Sequence, residues 1–193
     1  MTMFKKVLWI DTETTGIDPA KHGIIQIAAL MEIAGEVVEE FEAKFQPHAG
    51  AEINADALAV SGTTPEALWA RGTSLDAYFE FSRWIGKHID KFDKLDKAYP
   101  AGYNVRFDLD FIERWFRHSG NQYGTGSYQN WRYLDPLPIL YQLDYASRLS
   151  LPDYKLGTVC AHYGIELQAH DALSDVRAAR LLHGILSKEV FER

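Results

Sequence analysis

The chain has 193 residues, 47% of them hydrophobic and 24% charged, with a net charge of −7. That balance fits a globular protein with a sizeable core and argues against one that coats duplex nucleic acid by bulk positive charge. The single cysteine, Cys160, excludes an internal disulfide and a cysteine-cluster zinc site; it reads as a packing residue in a chain suited to a reducing, cytoplasmic setting.

Lys5 and Lys6 are followed by too short an apolar run for a signal peptide, and no stretch approaches membrane-spanning length, so no membrane partner is expected. One domain over residues 1–193 is the simplest expectation. The first predicted element is Val7, Leu8, Trp9 and Ile10, a β-branched and aromatic run that reads as a buried strand. It leads into Asp11-Thr12-Glu13-Thr14-Thr15-Gly16. Side chains on a strand alternate faces, so Asp11 and Glu13 point the same way. Two carboxylates side by side at the end of a buried strand repel, and a divalent metal between them keeps both ionised. Gly16 permits a sharp turn or a close approach to a ligand. The plainer alternative is a strand end with two solvated acids.

Residues 24–31 are apolar except for Gln26 and read as a second strand. Residues 36–45 place Val37, Phe41, Ala43 and Phe45 among acids and read as a third strand exposed on one face. Ala34-Gly35 turns between them, giving a hairpin that the first strand joins as a meander. Helical signals follow over 54–60, closed by Ser61-Gly62, and again at Thr64, an N-cap with Pro65 first in the helix. Residues 74–89 carry a helical apolar stripe, and the mixed-charge run 90–97 reads as a solvated connection.

Residues 98–103 read as a fourth strand, and 107–118 as a helix with Phe107, Phe111, Ile112, Trp115 and Phe116 on one face. The loop 120–126 lacks phosphate-loop spacing and reads as flexible linker. Residues 130–134 read as a short fifth strand, followed by helices over 137–147, 156–163 (closed by Gly164) and 172–190. The expected fold is α/β: a five-stranded mixed sheet, its first three strands antiparallel, flanked by helices on both faces.

More acids follow in two clusters. Asp108 and Asp110 open the 107–118 helix on different sides; Asp110 reads as a helix N-terminal acid facing water, and Asp108 as either that or a group held at the sheet edge. His170-Asp171-Ala172-Leu173-Ser174-Asp175 opens the last helix. Asp171 reads as its N-cap, and Ala172, Val176, Ala179 and Leu182 are spaced to pack closely on the sheet.

These three clusters together resemble the DnaQ-like 3′–5′ exonucleases, the DEDD family. The motifs are Asp-x-Glu at Asp11 and Glu13, Asn-x-x-Phe-Asp from Asn104 to Asp108, and His-x-Ala-x-x-Asp from His170 to Asp175. The histidine lies five residues before the last Asp, the mark of the histidine subgroup; the tyrosine subgroup's position holds Asp171. The resemblance covers about residues 5–190 and implies the ribonuclease-H-like fold.

It also implies a chemistry. Two Mg²⁺ ions about 3.5–4 Å apart can position an attacking hydroxide, neutralise a phosphate and stabilise a leaving oxygen, and they favour carboxylate ligands. By resemblance, Asp11 bridges both ions, Glu13 and Asp175 complete the first site, and Asp108 serves the second, largely through water; Mn²⁺ is expected to substitute. His170 resembles the general base, a role suited by an ordinary pKa of about 6.5. Thr14, Thr15, Gly16 and Ile17 are expected to contact the terminal nucleotide through backbone groups and an apolar contact from Ile17. Val60 and Ser61, within 57–61, line the same pocket; some relatives carry histidine where this chain has Ser61, a departure that bears on base or sugar contacts and not on hydrolysis. Asn104 either orients a phosphate or holds a turn.

The implied activity is release of nucleoside 5′-monophosphates from single-stranded 3′ ends. DNA is favoured over RNA because Thr14-Thr15 resembles proofreading relatives, whereas the oligoribonuclease type more often has methionine there. A DNA polymerase or another replication or repair protein is the implied protein partner. An RNA-directed exoribonuclease and a non-catalytic polymerase accessory or nucleic-acid-binding module are the alternatives; the second is disfavoured because every motif acid is present.

Overall fold

A computed structural model describes residues 5–168 and 171–191. Its sheet has the order β3-β2-β1-β4. β1 (Lys6–Thr14) pairs antiparallel with β2 (Ile24–Ile33), which pairs antiparallel with β3 (Glu36–Lys44). The β2–β3 turn is made by Ala34 and Gly35 at φ 57° and 90°, the paired left-handed conformation that matches hairpin twist. β4 (Ala98–Ala101) runs parallel to β1 on the other side.

Alternation along β1 divides the core. Leu8 and Ile10 face one layer with Ile27, Ala29 and Met31 of β2. That layer is covered by α3 (Ser74–Gly86) through Phe81, Trp84 and Ile85, and by α4 (Val105–His118) through Phe111, Ile112, Trp115 and Phe116. Val7 and Trp9 face the opposite layer with Ala28 and Leu30, against Ala172 and Val176 of the last helix, Ala172–Phe191. Ile10 is fully buried, so truncation to alanine should cost about 2–5 kcal/mol. The meander and the helices on both faces match expectation.

Two short helices, α1 (Ala55–Val60) and α2 (Pro65–Trp69), lie beside β2, where Leu58 and Leu68 pack on Ile25. Asn54 caps the first and Thr64 the second, with Pro65 where the sequence predicts it. α5 (Pro136–Tyr145) and α6 (Leu156–Tyr163) stack on the last helix, α7, through Leu140, Leu143, Val159, Leu182 and Leu186. Cys160 is buried there, and burial, then Asp175, pushes its thiol up to about 11. Among the described residues no helix is long and apolar enough to cross a membrane.

Among the described residues the sheet has four strands, not the expected five. The expected fifth strand, 130–134, touches β4 only at two isolated bridges, Ala98 with Gln129 and Ala101 with Leu134. Ala98 donates to the Tyr128 carbonyl and accepts from Asn130 N–H, but the next acceptor, Pro100 C=O, receives Leu134 N–H instead. Proline has no N–H, so the ladder lacks a rung at Pro100. Residues 131–133 bulge away, leaving Trp131 84% exposed. The 120–126 segment is also no free linker. It enters a 3-10 turn (Gly124–Ser127) tied to α4, with Thr125 N–H and hydroxyl both donating to Glu113 Oε2.

Candidate active site

The site forms where β1 outruns β4. Asp11 and Glu13 leave β1 on the face they share with Trp9, toward α7. Asp175 stands in the first turn of α7, whose small Ala172 lets the helix lie close against the sheet. One carboxylate oxygen each from Asp11, Glu13 and Asp175 lie within 4.8 Å of one another, an arrangement that can hold a metal ion. Asp171 caps this helix by accepting from Ser174 N–H at 2.9 Å, as the sequence predicts.

Asp108 arrives from the other layer. α4 starts at Val105, two residues before the expected start, so Asp108 lies in its first turn. The side chain is buried at 4% exposure and points at β1. Its Oδ1 accepts from Thr12 N–H at 2.9 Å and from Thr12 hydroxyl at 2.7 Å. β4 has already ended, so no strand occupies that edge beside Thr12. Gly102 makes the crossing possible: a Cβ there would come within 2.5 Å of the Ile10 carbonyl oxygen. Asp110, by contrast, is an outward acid paired with Arg106, as expected.

Charge crowds this end of β1. Asp11's pKa is raised well above the ordinary value, first by burial and then by the charges of Asp108, Asp175 and Glu13. Asp108 is also raised, by burial foremost and against the lowering effect of its Thr12 hydrogen bonds. A divalent cation would relieve both costs by supplying positive charge, and a carboxylate set suits a hard cation.

The expected substrate residues follow β1 directly. Thr15 is fully buried, donating to the Glu52 carbonyl at 2.6 Å and accepting from Gly23 N–H at 3.0 Å. Thr14 hydroxyl donates to the Gly16 carbonyl at 2.7 Å. Both hydroxyls therefore shape the loop. Gly16 is required by His22, whose ring would lie 2.3 Å from an added Cβ. Ile17 is 85% exposed, a large apolar side chain presented to solvent beside the acids. Asn54 N–H donates to the Thr15 carbonyl, which ties α1 to this loop. Val60 is exposed at the end of α1, and Ser61 spends its hydroxyl on the Leu58 carbonyl. Asn104 adopts the left-handed conformation at φ 55° and makes no side-chain cap bond, so it holds the turn into α4. His170 lies outside the described residues.

Sequence reading missed Thr12, Gly102 and Asp135. The carboxylate of Asp135 accepts from Asn104 and Val105 N–H at 3.1 Å each. A glycine closing a strand is a recognised sign of close backbone approach, and Asp135-Pro136 is a helix-start signal. Nothing local marks Thr12.

A helix-flanked mixed sheet with acids gathered at the end of its central strand defines the acid-cluster nuclease class. The chain belongs to the exonuclease family: that family's sequence model, RNase_T, matches residues 8–182. It is 26% identical over 186 residues to the PolC-type DNA polymerase III of Bacillus cereus, covering 95% of this chain and 11% of that protein. Escherichia coli exonuclease I in complex with a dT13 oligonucleotide matches in structure with a TM-score of 0.76 at 23% identity, over 95% of this chain and 41% of that one. A zinc-bound form of the E. coli exonuclease I–single-stranded DNA complex matches with the same TM-score, 0.76, at 24% identity, over 98% of this chain and 41% of that one. The chain thus spans about a tenth of its polymerase relatives and two fifths of the exonuclease I chains. The fold shared with these structures is the expected ribonuclease-H-like one.

Proposed function

We propose that this chain is a metal-dependent 3′–5′ exonuclease that removes nucleotides from single-stranded DNA and releases nucleoside 5′-monophosphates. The observation that carries the reading is the convergence of Asp11, Glu13 and Asp175 within 4.8 Å, with Asp108 brought to the same strand end by Thr12. These four carboxylates would hold two Mg²⁺ ions, with Mn²⁺ as a substitute. Such ions, when bound, offset phosphate charge and acidify water. Asp11, shared between the acids of both layers, would hold both ions, Glu13 and Asp175 the first, and Asp108 the second.

The chain's own groups do the rest. His170 takes a proton from the attacking water as its oxygen bonds to phosphorus. The bond from phosphorus to the 3′ oxygen breaks, and that oxygen leaves with a proton from solvent. Ile17 and Val60 flank the terminal nucleotide from two elements, and backbone groups of Thr14, Thr15 and Gly16 fix its position. Ser61 stands in that wall, and Asn104 sets the turn that delivers Asp108. Burial of Asp108 keeps its carboxylate from wandering off Thr12, which favours a fixed geometry for in-line attack.

The preference for DNA is supported by the polymerase relatives and by exonuclease I bound to oligodeoxynucleotides. Association with a DNA polymerase or a repair protein extends the same reading, as does a reducing cytoplasmic setting for a chain with one cysteine. End-labelled single-stranded DNA and RNA oligomers of one sequence, incubated with Mg²⁺ or Mn²⁺, test the proposal. The expected result is stepwise shortening from the 3′ end, faster on DNA and stopped by chelator. Shortening from the 5′ end, indifference to chelator, or a preference for RNA contradicts it.

A further inference from the structure

Asp108 is brought to Thr12 by a helix whose first turn is not closed by its own sequence. Asn104 occupies the N-cap position of α4 but makes no side-chain cap bond. The first N–H groups of a helix need acceptors. Here they come from a residue far along the chain: Asn104 N–H donates to Asp135 Oδ1 and Val105 N–H to Asp135 Oδ2, each at 3.1 Å. The same carboxylate closes its own helix, α5, accepting from Leu137 N–H at 2.9 Å. Leu134, just before it, is locked to the sheet by donating to the Pro100 carbonyl and accepting from Gly102 N–H. One side chain therefore joins the start of α4 to the start of α5, and the residue before it holds the same segment to the end of β4 through its backbone.

We propose that Asp135 is a positioning residue for the nuclease site: by capping α4 from outside the helix, it fixes the turn that sets Asp108 against Thr12. Asp108 stands three residues beyond Val105, so a shift of this turn moves its carboxylate directly. The consequence for hydrolysis rests on the proposed function, but the consequence for Thr12 does not. Thr12 N–H is buried and bonded to Asp108 Oδ1, and its protection reports whether Asp108 is in place.

The test uses the full chain and the variants Asp135→Asn and Asp135→Ala. Asparagine keeps one acceptor oxygen but turns an N–H₂ toward a backbone donor. Thr73→Ala serves as a plain capping control, since Thr73 caps α3 by accepting from Asp76 N–H. Metal-free hydrogen exchange by NMR should show Thr12 N–H exchanging about tenfold faster in both Asp135 variants, after correction for overall stability, and unchanged in Thr73→Ala. On an oligonucleotide, kcat should fall roughly 10–100-fold with KM nearly constant, and half-maximal rate should need more Mn²⁺. Native Thr12 exchange in Asp135→Asn overturns the inference, as does a loss confined to the thermal midpoint like that of Thr73→Ala. Failure of both Asp135 variants to fold also overturns it, because Asp135 would then act on the whole fold. A wild-type chain inactive on every oligonucleotide would remove the proposed function and leave the Thr12 readout standing.

Discussion

Acids on two parts of the same sheet meet opposite surroundings. On β2 and β3, Glu32 pairs with Arg180, Glu39 with Lys87 and His88, and Glu40 with Arg177. At the end of β1, among the described residues, burial and then three further acids, Asp108, Asp175 and Glu13, raise the pKa of Asp11. A carboxylate beside a cation serves the fold and asks for nothing more. Carboxylates gathered against one another cost stability, and a structure keeps them where a bound cation or a reaction uses them.

The sharpest way to break this comparison is to remove one crowded acid. Asp11→Ala should lower turnover on a labelled oligonucleotide by roughly 10³-fold or more while leaving the circular dichroism spectrum intact, because a divalent cation supplies several kcal/mol to such a transition state. Near-normal turnover would place the chemistry elsewhere. His170→Ala should cost about 10²–10⁴-fold. A general base must be neutral to accept a proton, so the wild-type rate should fall as acid protonates His170, and that limb should vanish in the variant. An unchanged pH profile removes His170 from the mechanism.

Stability sharpens the same contrast. Asp11's pKa is raised in the folded protein, so the metal-free fold loses stability as pH rises from near 4 through that raised value. Asp11→Asn abolishes this loss. Without metal at pH 8, its thermal midpoint should exceed that of wild type by about 2–4 °C for each ~1 kcal/mol of repulsion relieved. The gap should close near pH 4 and reverse when Mn²⁺ is added. A midpoint below wild type at pH 8 would show that the acids do not repel. The smallest effect belongs to the paired acids: Glu32→Gln keeps an acceptor for Trp9 and loses only the charge facing Arg180. It should cost about 1 kcal/mol in denaturant titration and leave turnover within about twofold.

The acids were legible because each sits in a short motif whose spacing survives folding: alternation puts Asp11 and Glu13 on one face, and a helix start presents Asp175. The meander was legible from apolar runs and the Ala34-Gly35 turn. What could not be read depends on partners distant in the chain. Pro100 carries no sign that it faces the expected fifth strand, so the missing rung appears only when residues 98–101 and 129–134 lie side by side. The early start of α4 depends on a cap supplied by Asp135. The threonines after Glu13 are expected to meet substrate through backbone groups, and what their hydroxyls do could not be read, because only the fold brings Glu52 and Gly23 to the Thr15 hydroxyl. Local pattern identifies the acids that gather at the end of β1; long-range hydrogen bonds decide how they are aimed.

The most direct measurement is anomalous diffraction from a crystal soaked in Mn²⁺. Two ions should stand at the end of β1, with Asp11 touching both, Glu13 and Asp175 on one and Asp108 beside the other. Mn²⁺ density absent from all four carboxylates, in a crystal that binds it elsewhere, would contradict the account.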